Sequence, residues 1–417
     1  MNSPLRIGFV GAGFIAGFHL ESLQAVRDVE VRAVFSPAGS DGFVESATRL
    51  GVASAAGVEV LDSAEALAAH EEVDAIWICA RNDTRLEVIE ALERGCARRK
   101  APLKGIACEK PLARNVPEAE AVCAAMDRIH ASTGAHGAYL EDMLFAPGLA
   151  RGQEVLWRRG AGVAGRPYLA RASEEHAGPH SEWFWRPEIA GGGALVDMMC
   201  HSIEAARWLL TEPGAPRASL RPIAVNGNVA NLKWVHEPYA SQLKARFGGD
   251  LDWAANPSED FARATITWRV ESGPDAGREV LSETSSSWCY VGAGLRHEFQ
   301  LLGPEYALDI DMSRTGVEVF FSRAVQGSVG EDLVEKQNAE QGLMPISPDE
   351  AAHYGYVGEN RAFSRAFAAG RSPEPDFAAG LEVTRLLMAT YLSSAEGRVV
   401  DPFEAGVATL RPFGPTE

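Results

Sequence analysis

No two cysteines in this 417-residue chain stand at C-x-x-C spacing. Cys79, Cys96, Cys108, Cys123, Cys200 and Cys289 are scattered, so neither a zinc ribbon nor a disulfide framework is expected and the thiols read as free. Positive charge is short as well: 39 Lys and Arg face 57 Asp and Glu, a formal charge of −18 at pH 7. Such a surface repels phosphate backbones and anionic lipid, so neither nucleic acid nor a membrane is expected as partner. No apolar run reaches the roughly 18 residues that a spanning helix needs. The N-terminal residues carry no apolar signal core, twin arginine or small-residue cleavage site, from which a cytoplasmic location is expected. Internal repeats and low-complexity tracts are also missing. What remains is a globular composition at a length that predicts two domains.

The first third alternates apolar runs with helical patterns. Leu5 to Val10 reads as a buried strand that ends in GAGFIAGFHLESL, a glycine turn opening a helix. Strands VEVRAVF, DAIWIC and KGIACE follow, with helices through LEVIEALERG and EAEAVCAAMDRIH and a last short strand near Ala135 to Tyr139. Strand and helix in regular alternation predict a parallel, doubly wound α/β sheet. In that setting Gly11, Gly13 and Ala16 form G-x-G-x-x-A, the dinucleotide fingerprint: a tight turn, room for backbone to approach a pyrophosphate, and close helix–strand packing. The helix start, with Phe14 and Ile15, offers N–H groups and a positive dipole to the phosphates.

The acid that usually reads a ribose 2′-OH, about 20 residues past the glycines, is missing. Ser36 stands there, followed by Pro37, with no neighbouring arginine for a 2′-phosphate. NAD is the expected cofactor, and NADP stays open. KGIACE ends in Glu109, followed by Lys110 and Pro111; a lysine at the carboxyl end of a parallel strand points into the crevice where such sheets bind ligands.

Beyond about Met143 the pattern changes to strand-like alternation in RPYLARASEEH, ARATITWRVE, REVLSETSSSW, RHEFQLLG and TGVEVFFSR, which predicts an antiparallel sheet. Two helical segments around GRSPEPD close the chain. Domains are therefore expected at 1–142 and 143–417. The stretch Thr211 to Asp260, rich in glycine and proline, reads either as an insert shaping the site or as surface loop. Within GGGALVDMMCHS, Asp197 and His201 fall at i and i+4 of a helix expected to start near Leu195, so both can reach one substrate; a dipole-favoured acid and a satisfied half-buried histidine are the plain alternative. Just upstream, Trp183, Trp185 and Arg186 suit the apolar face and hydroxyls of a sugar, although a Trp cluster is more often core packing. A metal held by His176 and His180 lacks a third ligand at motif spacing, and no metal is expected.

GAGFIA, ARND after the strand DAIWIC, EKP at the end of KGIACE, and GGGALVDMMCH in the second domain together resemble the Gfo/Idh/MocA oxidoreductases, the glucose-fructose oxidoreductase and inositol dehydrogenase family, over nearly the whole length. The resemblance implies an N-terminal Rossmann domain and an α+β domain with a large open, mostly antiparallel sheet. It also implies NAD or NADP bound at their junction, sugar or polyol substrates, and homodimers or homotetramers. Matching motifs place Lys110, Asp197 and His201 in the active site, with Gly11, Gly13, Phe14, Ile15, Ser36, Ala80, Asn82, Glu109 and Lys110 toward the cofactor. Trp183 and Arg186 join Lys110, Asp197 and His201 on the substrate side. The chain departs from the family at Arg81 and Arg85, where proline and histidine are frequent; these guanidinium groups suit an anionic sugar such as a uronate or sulfonated sugar, or else are helix-start surface residues. A dehydrogenase is expected, with an NAD-dependent glycoside hydrolase acting through transient sugar oxidation, or a non-enzymatic sensor of NAD(P), as rivals.

Overall fold

The computed structural model describes residues 3–292, 294–314, 318–321, 342–347 and 349–413. They form two compact units. In the first, β1 (Leu5–Val10), β2 (Val29–Phe35), β3 (Glu59–Val60), β4 (Ala75–Ile78), β5 (Gly105–Glu109) and β6 (His136–Leu140) make one sheet in the order 3-2-1-4-5-6. Every pair is parallel. Helices α1 (Phe14–Leu23), α2 (Asp41–Arg49), α3 (Ala64–Ala69), α4 (Arg85–Cys96) and α5 (Val116–Thr133) supply the crossovers. The β4 and β5 runs AIWI and GIACE are buried at every residue, as strands covered on both faces require. Because the strand order reverses between β1 and β4, a crevice opens at their carboxyl ends.

The second unit begins with α6 (Pro147–Leu156) and α7 (Gly162–Ala164). It continues through β7 (Leu169–Glu175), α8 (Pro187–Ala190), α9 (Ala194–Leu210), β8 (Leu220–Ala230), α10 (Tyr239–Phe247), β9 (Phe261–Val270), β10 (Glu279–Ser287), β11 (Arg296–Gly303) and β12 (Tyr306–Asp311). Its six-stranded sheet runs 12-11-7-10-9-8. The β7–β10 pair is parallel and the others antiparallel, so the sheet is mixed but mostly antiparallel. Burial alternates residue by residue in β9 and β11, and α9 packs against β7, β9 and β10. Two further short strands, β13 (Glu318–Phe321) and β14 (Gly342–Pro345), pair with each other; the flanks of the expected strand TGVEVFFSR lie outside the described residues. A short helix, α11 (Glu350–His353), follows.

Two features differ from the sequence expectation. The stretch from Thr211 to Asp260 holds β8 and α10. Pro222, Asn226, Gly227 and Asn228 hide the strand pattern, and they are tolerated because β8 is an edge strand with a register shift between Pro222 and Ala224. The second difference is the return of α12 (Tyr356–Ala368) to the first unit, which comprises residues up to Pro147 together with Tyr354–Thr384 rather than 1–142 alone. Its Phe363 and Phe367 are buried with Phe9 and Trp77, a long-range packing that no local pattern announces. Helix α13 (Phe377–Glu396) is divided between the units after Thr384, and α14 (Ala405–Thr409) belongs to the second. No helix among the described residues is long and apolar enough to cross a membrane.

Candidate active site

In the first unit the predicted cofactor residues gather at the carboxyl ends of β1, β2 and β4. The Gly11 N–H donates to the carbonyl of Phe35, beside Ser36, at 2.8 Å. Gly11 has φ +98°, and a Cβ there would lie 2.6 Å from the carbonyl oxygen of Cys79, next to Ala80; only glycine fits. Gly13 differs: a Cβ would meet nothing within 4 Å. Packing of the unit does not demand glycine at 13, whereas close approach of a pyrophosphate does. Helix α1 starts at the exposed Phe14 and half-buried Ile15, with no acidic residue in its first turn and no side-chain cap on its N-terminal N–H groups. These residues fit the phosphates of a dinucleotide.

At the end of β5 the Glu109 carboxylate is buried. Burial pushes its carboxyl up, but the bond from His19 and the charges of Lys110 and Arg85 outweigh that and hold it below the ordinary value. Arg85, itself buried, donates to the carbonyls of Glu109, of Lys110 at 2.9 Å and of Ala80 at 3.3 Å. Arg81 is exposed and pairs with Asp83 at 2.9 Å. Arg85 thus braces the EKP backbone from a buried position, which removes the basis for reading it as a binder of an anionic sugar, while Arg81 stays at the surface in a local ion pair. Asn82 is buried in the 3-10 turn Asn82–Thr84.

In the second unit the three glycines have separate structural reasons. Gly191, at φ +93°, ends α8. A Cβ at Gly192 would sit 2.0 Å from the Tyr391 hydroxyl, and one at Gly193 would sit 2.1 Å from the carbonyl oxygen of Glu259. The room they leave is filled by Glu259 and Tyr391, so the glycines serve the start of α9 rather than ligand approach. The Glu259 carboxylate accepts from the N–H groups of Gly193 at 3.1 Å and Leu195 at 2.9 Å, and from the Tyr391 hydroxyl at 2.9 Å. These are the donors that a helix start otherwise leaves unmatched.

Burial nonetheless pushes Glu259 up to about 7 against those donors. A carboxyl whose folded pKa is raised binds its proton more tightly in the folded state. Its contribution is therefore complete below the unfolded value of about 4.5 and is lost as pH rises through about 7, a swing of about 3 kcal/mol at 1.36 kcal/mol per unit. Thermal melts from pH 5 to 8 should show a fall in Tm that Glu259→Gln flattens; parallel curves for the two proteins would contradict this.

From that start α9 projects Asp197 and, one turn on, the buried His201. The Trp288 indole N–H donates to Asp197 Oδ2 at 3.1 Å, and His176 Nε2 stands 3.7 Å from the same oxygen. His176 Nδ1 accepts from the Gly178 N–H at 3.0 Å, so the ring proton of the neutral tautomer sits on Nε2, facing Asp197. His176 is thus turned to the carboxylate rather than toward a metal site with His180. Trp288 and Trp185 are core residues here, packed with Trp253, Met198, Ala240 and Leu243, and the insert that carries α10 builds this aromatic core around the start of α9. Trp183 is half-buried and stacks on Phe184 at 3.8 Å, and Arg186 binds Glu182 at 2.6 Å. Sequence reading missed Trp288, Glu259 and Tyr391, whose only signal is burial of a polar group.

A doubly wound sheet with a glycine turn at its first crossover, followed by a helix-on-sheet unit whose α9 carries Asp197 and His201, is the architecture of a two-domain NAD-binding oxidoreductase. Residues 5–133 match the family described as "Oxidoreductase family, NAD-binding Rossmann fold", and residues 159–277 match the GFO/IDH/MocA C-terminal domain. The chain belongs to the Gfo/Idh/MocA family. It is 27% identical to a myo-inositol 2-dehydrogenase of Thermotoga maritima over half of this chain and 55% of that protein. It is 26% identical to a levoglucosan dehydrogenase of Pseudarthrobacter phenanthrenivorans over 95% of this chain and 98% of that one. The match spans little more than half the length of several curated relatives. Among solved structures, GenD2 from gentamicin A biosynthesis, in complex with NAD, shares the fold with a TM-score of 0.73 at 24% identity, covering 96% of this chain and 97% of that one.

Proposed function

We propose that this protein oxidises a hydroxyl-bearing carbon of a sugar, sugar derivative or polyol, passing hydride to NAD. The observation that carries the reading is the Asp197 carboxylate held by Trp288, one helical turn before the buried His201, on a helix whose start is braced by a buried acid. NAD, when bound, supplies the hydride acceptor. His201 takes the hydroxyl proton as the carbon is oxidised, and Lys110 donates a hydrogen bond to the same oxygen, opposing the negative charge that develops there. Asp197 orients the imidazole or the substrate, while Trp183 and Arg186 flank the sugar. Gly11, Gly13, Phe14, Ile15, Ser36, Ala80, Asn82 and Glu109 serve the cofactor.

The test is a panel of sugars and polyols with NAD and with NADP, reading NADH or NADPH absorbance beside aglycone release from glycosides. Reduced cofactor formed with at least one polyol or sugar, and NAD preferred, is the expected result. Aglycone release without reduced cofactor would replace this reading by the hydrolase, and no turnover of any kind would return the chain to a sensor. No structural observation favours either rival. The outward face of the second sheet, with Arg171, Arg263 and Glu283 around a depression of about 490 Å³, is the surface through which we expect a homodimer or homotetramer.

A further inference from the structure

Lys110 is tied to the core of the first unit by a line of hydrogen bonds whose direction is set by a group that can only donate. The Trp77 indole N–H stands 2.8 Å from Asn360 Oδ1. An indole nitrogen has no acceptor capacity, so the oxygen end of the Asn360 amide is fixed. Its nitrogen end, with two hydrogens, then faces three acceptors, His19 Nδ1 at 2.9 Å, Ser22 Oγ at 2.8 Å and the Tyr356 carbonyl at 2.9 Å, and because an amide nitrogen accepts nothing, His19 Nδ1 can face it only as an acceptor. A ring nitrogen that accepts carries no proton, so the His19 proton lies on Nε2, which donates to Glu109 Oε1 at 2.9 Å. The other Glu109 oxygen accepts the backbone N–H of Lys110 at 3.0 Å. Trp77, Asn360 and His19 are each 0% exposed, so a broken link has no solvent to replace it.

Arg85 holds the carbonyls on the other side of the same turn. The Lys110 backbone is therefore gripped at both its N–H and its C=O, once by Glu109 and once by a guanidinium. Only the first grip depends on a residue from the far end of the chain.

We propose that Asn360 is a positioning residue for Lys110: by presenting N–H to His19 Nδ1 it forces the imidazole proton toward Glu109, and Glu109 in turn holds the Lys110 backbone. This rests on the reading of Lys110 as a site residue. It gives the return of α12 to the first unit a role beyond packing. The substitution Asn360→Asp keeps the size and the acceptor for Trp77 but turns a carboxylate oxygen toward His19 Nδ1, which demands a second proton on the ring.

The experiment uses the full-length protein with ¹⁵N-labelled histidine and backbone amides. Wild type should show His19 protonated on Nε2 alone, and N360D should show both ring nitrogens protonated with a shifted Lys110 amide signal. The doubly protonated ring of N360D still donates to Glu109, but as a cation that draws the carboxylate toward itself and away from the Lys110 N–H. In consequence kcat should fall roughly 10-fold, the scale of misplacing a reacting group by up to about 1 Å, and should fall by more than KM rises. A wild-type His19 protonated on Nδ1 overturns the proposal without any variant, so it stays testable even if N360D does not fold. So do unmoved His19 and Lys110 signals in N360D. If wild type turns over no sugar, the catalytic reading of Lys110 fails separately, and the two signals still decide what Asn360 does.

Discussion

His201→Ala is expected to lower kcat about 10²-fold or more, and Lys110→Met to do the same, while NAD binding measured by titration is retained. Removing the imidazole leaves the substrate hydroxyl without an acceptor for its proton, and water must take it. In the proposed reaction, removing the ammonium leaves the developing oxyanion without its hydrogen-bond donor. The two losses should be less than additive in the double variant, because the proposed mechanism assigns both groups to one oxygen. Cofactor affinity is the control for His201, since the glycine turn and α1 lie in a unit that His201 does not belong to; for Lys110, which shares that unit, the control is that any change in NAD affinity is much smaller than the fall in kcat. Near-normal turnover in both single variants would end the assignment. The levels of KM matter too: a raised KM at unchanged kcat would make these residues binders of the ground state only.

The second large effect is on stability. Gly193→Ala places a Cβ 2.1 Å from the carbonyl oxygen and 2.6 Å from the amide nitrogen of Glu259. Both are backbone atoms that cannot swing away, and Glu259 itself holds the N–H groups of Gly193 and Leu195. Moving it breaks the start of α9, so we expect a loss of about 3 kcal/mol or more, at the upper end of overpacking. Denaturant melts followed by tryptophan fluorescence would report it. Gly13→Ala should behave in the opposite way: its Cβ has open space around it, so stability should be unchanged while NAD affinity falls, because the methyl group stands where phosphate must approach. A Gly193→Ala protein as stable as wild type would mean that the close approach to Glu259 is not a constraint.

The contrast between the two glycines shows how much of the site was legible beforehand. Gly11 and Gly13 announce themselves through spacing, because a strand, a tight turn and a helix must follow in fixed order for backbone to meet a phosphate. Asp197 and His201 are legible for the same reason: helical periodicity puts i and i+4 on one face. The GGG run was legible as a special backbone segment, but its partners were not. Glu259 and Tyr391 lie 66 and 198 residues beyond Gly193, counted along the chain, and no local pattern ties them to it. Arg85 is the clearest correction. Its charge suggested an anionic substrate, but a buried guanidinium beside three carbonyls is occupied by its own backbone.

The chain order of strands and helices, the glycine turn, the lysine after β5 and the Asp–His spacing are local or periodic properties, and the sequence determined them alone. Tertiary structure decided which polar groups are buried against which. Asn360 reaching His19, Trp288 reaching Asp197 and Glu259 reaching α9 each join segments far apart in sequence. Their pairing follows from the cost of burying a polar group without a partner, and that cost exists only once the chain has folded around it.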